Sequence, residues 1–428
     1  MQKPPKFRWL FIFLNYFSFF INNYRYCLRY IGKEGTCIDK IINPITKVKS
    51  FICPVCGNQD PRYLGCKNGQ IYCRRCISFK GEEVDLSLSK PPQNYEAIIS
   101  YPLSKEQERI ANEVKESYIN GFNTLIYAVC GAGKTELVFK VIEYALSKKE
   151  RVGFAIPRKD VVIELAVRLA KTFKNNLVTN VYGGNSSLLN GDIIVLTTHQ
   201  LYRYHEYFDL LIMDEIDAFP YKDNPVLLQM FKKSVKGHYV LMSATPSESV
   251  LKEFKGKKHK ILTLFTRYHM HPLPEPEIVI SYGLTKYFFL IKKIKEYQHQ
   301  SKPLFIFVPT IDECEYLYSV LKRFCSGGNR VHSKIENRQE IIDDFRKEKY
   351  SFLVTTAVLE RGVTLKNLQV IIYHSDHAIY NAAALIQISG RVGRLSDAPT
   401  GDVYFLASKK TKGMVDAIQK IKETNSHL

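Results

Sequence analysis

From Leu103 onward, short apolar runs alternate with stretches whose apolar positions recur every three or four residues. The runs suit strands buried on both faces, and the longer stretches suit amphipathic helices; their alternation is the pattern of a parallel α/β sheet. Strands are predicted over 124–129, 152–156, 192–197, 210–213 and 239–242. The alternation resumes with strands over 304–308, 351–355, 370–373 and 402–406. Between the two groups, residues 269–276 (HMHPLPEP) hold three prolines and suit a hinge. The chain therefore reads as two consecutive α/β units, over 100–268 and 277–428.

Upstream the pattern changes. Residues 51–90 form a cysteine-rich, turn-rich unit too small to build a core without a staple such as a metal. Pro91 and Pro92 then break the chain, as a linker would. Residues 1–50 open with an apolar run of about 13 residues, Trp9 to Ile21, behind Lys3, Lys6 and Arg8. That is short of the roughly 20 residues a spanning helix needs. No small-residue cleavage site follows it, so a buried or interfacial segment is expected rather than export. A start assigned upstream of the native one would also account for it.

Composition adds two constraints. Apolar residues make up 45% of the 428, which permits sizeable cores and excludes global disorder. Lys and Arg outnumber Asp and Glu by 61 to 42, a net +19 that favours a polyanionic partner through counterion release. The ten cysteines are unevenly spread, five of them between Cys53 and Cys76. Evenly stapled secreted scaffolds are excluded, and clustered CxxC pairs point to metal in a reducing cytoplasm.

The chemistry begins at Cys130-Gly131-Ala132-Gly133-Lys134-Thr135, between the 124–129 strand and a helical pattern over 136–146. Strand, glycine turn and helix aim successive N–H groups at one point, a nest for phosphate oxygens. Gly131 and Gly133 permit the turn, Lys134 is expected to reach the β- and γ-phosphates of ATP, and the Thr135 hydroxyl to bind Mg2+. The full pattern asks for glycine where this chain has Ala128. Some 80 residues on, an apolar strand ends in Asp214-Glu215-Ile216-Asp217, delivering two carboxylates to the ligand-binding end of a neighbouring strand. Asp214 is expected to hold Mg2+ and Glu215 to polarise the attacking water. Ahead of the loop, Gln107 offers a donor and an acceptor suited to the edges of adenine.

Ser243-Ala244-Thr245 closes the 239–242 strand and suits a link between the acids and the other unit. The second unit contributes Gln387-Ile388-Ser389-Gly390-Arg391-Val392-Gly393-Arg394. Arg391 and Arg394 lie three apart, so on a helix they share a face and suit the charge building on a transferring phosphoryl group. Upstream, 355–363 (TTAVLERGV) closes a strand, with Glu360 before Arg361 and Gly362 suited to backbone contact.

In order and spacing these segments resemble superfamily-two helicases of the DEAD/DEAH-like kind, over about residues 100 to 410. That resemblance implies two tandem RecA-like lobes with ATP bridging Lys134 and Arg391. It also implies that Ile156-Pro157-Arg158, Thr197-Thr198-His199 and Val308-Pro309-Thr310 contact the nucleic-acid strand.

Cys53-Pro-Val-Cys56 and Cys73-Arg-Arg-Cys76, 16 residues apart, fit a four-thiolate tetrahedral zinc ribbon. Cys66 lies between the pairs and is expected to stay free. Arg62, Lys67, Arg74 and Arg75 suit added phosphate contacts. A zinc module ahead of such a motor resembles the ComFA family of bacterial competence proteins. That resemblance implies a cytoplasmic ATPase acting on single-stranded DNA in transformation. It further implies a ComFC-type partner and association with the inner face of the membrane DNA-uptake machinery; a homo-oligomer is left open. Three rivals remain. A PriA-like replication-restart helicase would place its zinc cysteines inside the second lobe. For an RNA helicase the zinc module gives no reason. A zinc-ribbon adaptor carrying a weak ATPase would be expected to have lost one of Lys134, Asp214, Glu215, Arg391 and Arg394.

Overall fold

A computed structural model describes residues 51–67, 70–76, 84, 102–185, 187–216, 224–356 and 365–428. The apolar amino-terminal run, the Pro91-Pro92 linker, Asp217 and the Glu360-Arg361-Gly362 segment lie outside the described residues. By contacts the chain divides into two units: the cysteine-bearing segment with Pro225–Met230, and the remainder.

In the cysteine-bearing unit, β1 (Leu64–Lys67) and β2 (Gln70–Cys73) form an antiparallel hairpin that ends one strand at a knuckle cysteine. Gly65 lies against the Tyr72 ring so closely that an added Cβ would stand 2.4 Å from it. Cys66 is on β1, and its side chain is outside the described set.

The larger unit holds two wholly parallel sheets. The first contains β3 (Asn123–Ala128), β4 (Val152–Ile156), β5 (Val178–Val181), β6 (Ile193–Thr197), β7 (Phe208–Met213), β8 (Val235–Ser243) and β9 (His259–Leu264), in the order β5-β6-β4-β7-β8-β3-β9. The second contains β10 (Glu277–Ile280), β11 (Leu304–Phe307), β12 (Gly328–Val331), β13 (Phe352–Thr355), β14 (Gln369–Tyr373) and β15 (Val403–Ala407), in the order β10-β15-β14-β11-β13-β12. All nine expected strands are present, in two α/β lobes.

The second sheet shows why its strands read as unbroken apolar runs. Phe305, Phe307, Leu353, Val370, Ile372 and Phe405 pack into a core on one face. The alternate residues Leu304, Ile306, Phe352, Val354, Ile371 and Leu406 fill a second core on the other. Successive strand side chains point to opposite faces, so a sheet covered on both sides needs apolar residues at every position.

Two expectations need correction. The helix predicted over 136–146 is two, Lys134–Leu137 and Phe139–Ser147, meeting at Val138. The acid-bearing β7 is not the neighbour of β3, because β8 pairs with both and lies between them. In the proline-rich stretch between the two sheets Leu273 is buried, its N–H donates to Asn425 Oδ1 at 2.8 Å, and its carbonyl accepts from Asn425 Nδ2 at 3.0 Å.

Candidate nucleotide site and cysteine cluster

Strand β3 runs out at Ala128, and the chain turns through Gly131 (φ +85°) and Gly133 (φ +73°) into the helix Lys134–Leu137. Both glycines sit in the left-handed region, where a side chain would be strained. Lys134 Nζ lies over this loop and donates to the carbonyls of Ala128 at 3.2 Å and Val129 at 3.4 Å.

Beneath the loop stands Gln107, 4% exposed. Its Nε2 donates to Ala132 O at 2.9 Å, while its Oε1 accepts the Ser104 N–H at 2.9 Å in a capping box that starts the helix Lys105–Ile119. The amide expected to read adenine thus braces the loop from behind and does not line the cavity described below.

Three adjacent strands deliver the remaining first-lobe groups. β3 carries the glycine loop, β8 ends at Ser243 with Ala244 following, and β7 leads into Asp214 and Glu215. Asp214 N–H donates to Ala155 O at 3.1 Å, and its Oδ1 accepts the Glu215 N–H at 2.8 Å. Glu215 takes φ +57°, a left-handed conformation unusual for a side-chain-bearing residue. The Ser243 hydroxyl accepts the Thr245 N–H at 2.9 Å, holding the turn after β8.

From the second lobe comes the helix Ala382–Ser389, started by the Asn381 side chain and capped by Gly390. The helix stops before the two arginines, so they do not share a helical face as expected. Gly393, at φ +66°, turns the chain between them. Gly390 is required by contact: an added Cβ would lie 2.6 Å from Cys130 Cβ in the phosphate-type loop. Arg391 is 2% exposed, and Arg394 Nε donates to Gly390 O at 2.9 Å.

These groups converge. A cavity of about 290 Å³ is lined by Lys134, Thr135, Asp214, Glu215, Ser243, Arg391 and Arg394, with Gly131 and Ala132 in its wall. Among the described residues, the sequence reading missed Glu164 and Arg168, which also line it. They lie four apart on the helix Lys159–Thr172, a spacing that puts both on one face. Arg168 pairs with Glu136, a buried carboxylate directly after Thr135. Ile156 and Thr197 end β4 and β6, Val308 directly follows β11, and Ile156 also lines the cavity. At His199, burial holds the imidazole below its usual pKa.

The cysteine-bearing unit holds a cluster of its own. Cys53, Cys56, Cys73 and Cys76 are all buried, with their four sulfur atoms within 4.8 Å of one another. The Cys53–Cys76 and Cys56–Cys73 sulfurs lie 3.5 and 3.6 Å apart. A tetrahedral Zn2+ with Zn–S bonds of about 2.3 Å sets sulfur–sulfur edges of about 3.8 Å, so the four thiols fit such an ion. Gly57, at φ +67°, closes the first knuckle by donating its N–H to Cys53 O at 2.9 Å.

With two parallel-sheet lobes sharing one cavity, the class follows from comparison. The family described as "Type III restriction enzyme, res subunit" matches residues 100–248, and "Helicase conserved C-terminal domain" matches residues 285–396. A solved structure of Saccharomyces cerevisiae Dbp5 bound to RNA and ADP BeF3 shares the fold, with a TM-score of 0.57 at 17% identity over 76% of this chain and 92% of that one. The chain is an ATPase of helicase type, which implies ATP and Mg2+. Competence protein ComFA of Bacillus subtilis is 35% identical, covering 88% of this chain and 86% of that protein. ComFA of Streptococcus pneumoniae is 33% identical, covering 83% and 86%. The chain belongs to the ComFA family. Among the described residues, no helix is long and apolar enough to cross a membrane.

Proposed function

We propose that this chain is an ATP-driven motor that translocates on single-stranded DNA during uptake in bacterial transformation. The observation that carries the reading is one cavity walled by Lys134, Thr135, Asp214 and Glu215 from the first lobe and by Arg391 and Arg394 from the second. The loop N–H groups and Lys134 take the phosphates of ATP. Thr135 and Asp214 would hold Mg2+, which would supply positive charge to offset the negative charge of the phosphates. Glu215 orients the attacking water, and the arginines stabilise the transferring phosphoryl group from across the cleft. Because the site is shared, turnover changes the relation between lobes, and a strand held on both is moved stepwise. Positions near Ile156, Thr197 and Val308 make the strand contacts, aided by the +19 charge.

The four buried thiols would hold a zinc ion, which would supply a structural tie rather than catalysis. The ComFA relationship supports a place in competence; the proposal extends to a cytoplasmic position on the inner face of the membrane uptake machinery and to a ComFC-type partner. The cysteines precede the first lobe, which disfavours the PriA-like reading. The presence of all five expected charged residues around the cavity disfavours an adaptor with a failed motor.

Steady-state ATP hydrolysis compared across single-stranded DNA, duplex DNA and RNA, with strand separation assayed alongside, tests the reading. Single-stranded DNA should stimulate most. Equal or greater stimulation by RNA would sink the DNA assignment, and no response to any nucleic acid would sink the motor.

A further inference from the structure

Arg267 lies in the segment between β9 and β10, and it is 1% exposed. Burying a charge is costly unless it is answered, and an answering carboxylate is the usual solution. Among the described residues Arg267 has no salt-bridge partner. Main-chain carbonyls answer it instead. Nε donates to Cys130 O at 3.2 Å, one terminal nitrogen to Val392 O at 2.9 Å and Gly393 O at 2.5 Å, and the other to Gly390 O at 3.4 Å. Burial, with Arg394 nearby, pushes the guanidinium down to about 10, which leaves it charged at neutral pH.

The carbonyls belong to different lobes. Cys130 opens the glycine loop after β3, whereas 390–393 is the turn that presents Arg391. The next two residues hold the turn and the chain after it: His269 Nε2 donates to Gly393 O at 3.1 Å, and the Tyr268 hydroxyl accepts the Ser396 N–H at 3.1 Å. Only a planar fork with donors on three nitrogens reaches both sites at once; a lysine offers a single point. The charge also sits where the helix Ala382–Ser389 ends, which favours a cation there. Arg267 itself does not line the cavity.

We propose that Arg267 is a positioning residue that locks the Arg391 turn to the glycine loop, setting Arg391 at the phosphate end of the cavity. The inference rests on the role given above to Arg391. It assigns the connecting segment a part in hydrolysis rather than in spacing the lobes alone.

The test is a double-mutant cycle on the full chain with saturating single-stranded DNA, measuring kcat, KM and the affinity for a non-hydrolysable ATP analogue. Arg267→Ala should lower kcat by about tenfold or more while KM and analogue affinity change less than about threefold, as for a group acting in the transition state. The Arg267→Ala, Arg391→Ala double variant should be no slower than Arg391→Ala alone, within about twofold, because both changes remove one interaction. Multiplying losses, or a kcat for Arg267→Ala within about twofold of the parent, would overturn the proposal. If Arg391→Ala is silent, the fault lies in the role given to Arg391; if it is slow and the losses multiply, the fault lies with Arg267. Arg267→Lys keeps the charge should Arg267→Ala fail to fold. It should show an intermediate kcat at the parent KM, and full parental kcat would equally overturn the proposal.

Discussion

Gln107 and Gly133 are held against each other: a Cβ placed on Gly133 would stand 2.5 Å from Gln107 Nε2. Gln107 is an internal brace of the glycine loop, its amide spanning Ala132 O and the Ser104 N–H. Gln107→Ala leaves a buried carbonyl without its donor, at a cost of about 1–3 kcal/mol. Affinity for ATP and GTP should therefore fall together, alongside a lower Tm. A loss confined to ATP would restore the adenine-reading role expected from the sequence.

Lys134→Ala should abolish DNA-stimulated hydrolysis, measured as phosphate release at saturating DNA. Unchanged turnover would remove Lys134 from the phosphates. Glu215→Gln separates the steps further: nucleotide binding should persist while hydrolysis is lost, because the amide cannot take a proton from water.

Arg391→Ala should leave ATP binding largely intact while slowing hydrolysis about 10³-fold or more, the scale of other arginines that reach a transferring phosphoryl group. Binding titrations and single-turnover hydrolysis measure the two terms separately. Equal loss in both would place Arg391 in ground-state binding instead.

The sequence was legible where physics leaves a local trace. Strands buried on both faces announced themselves as apolar runs, and Lys134, Thr135, Asp214, Glu215, Arg391 and Arg394 sit in motifs with strict turn and charge requirements, whereas Glu164 and Arg168 line the same cavity from a plain amphipathic helix. The four strands of the larger unit that went unread, β5, β9, β10 and β12, are the four sheet edges. Edge strands are covered on fewer sides, so polar residues enter them and break the run, as Val178–Val181 (VTNV) and Gly328–Val331 (GNRV) show. Arg267 was unreadable for a different reason. Its partners are carbonyls more than 120 residues away, and a main-chain acceptor leaves no mark in side-chain chemistry. Gln107 was flagged for the right neighbourhood, but which side of the loop it occupies depends on tertiary contact.

The zinc proposed for the cysteine unit bears directly on that unit's stability. Its hairpin of two four-residue strands is too small to bury a core, so a bound ion would be the principal tie between Cys53, Cys56, Cys73 and Cys76. Metal analysis of the purified chain should find one zinc, and replacing Cys53 and Cys56 by serine should release it. Chelation should expose residues 51–76 to limited proteolysis, since metal affinity in such modules is folding free energy. ATP hydrolysis in the absence of DNA should survive, because none of the four cysteines lines the nucleotide cavity. A wild-type chain that is metal-free yet protected from protease over 51–76 would dismiss the zinc ribbon.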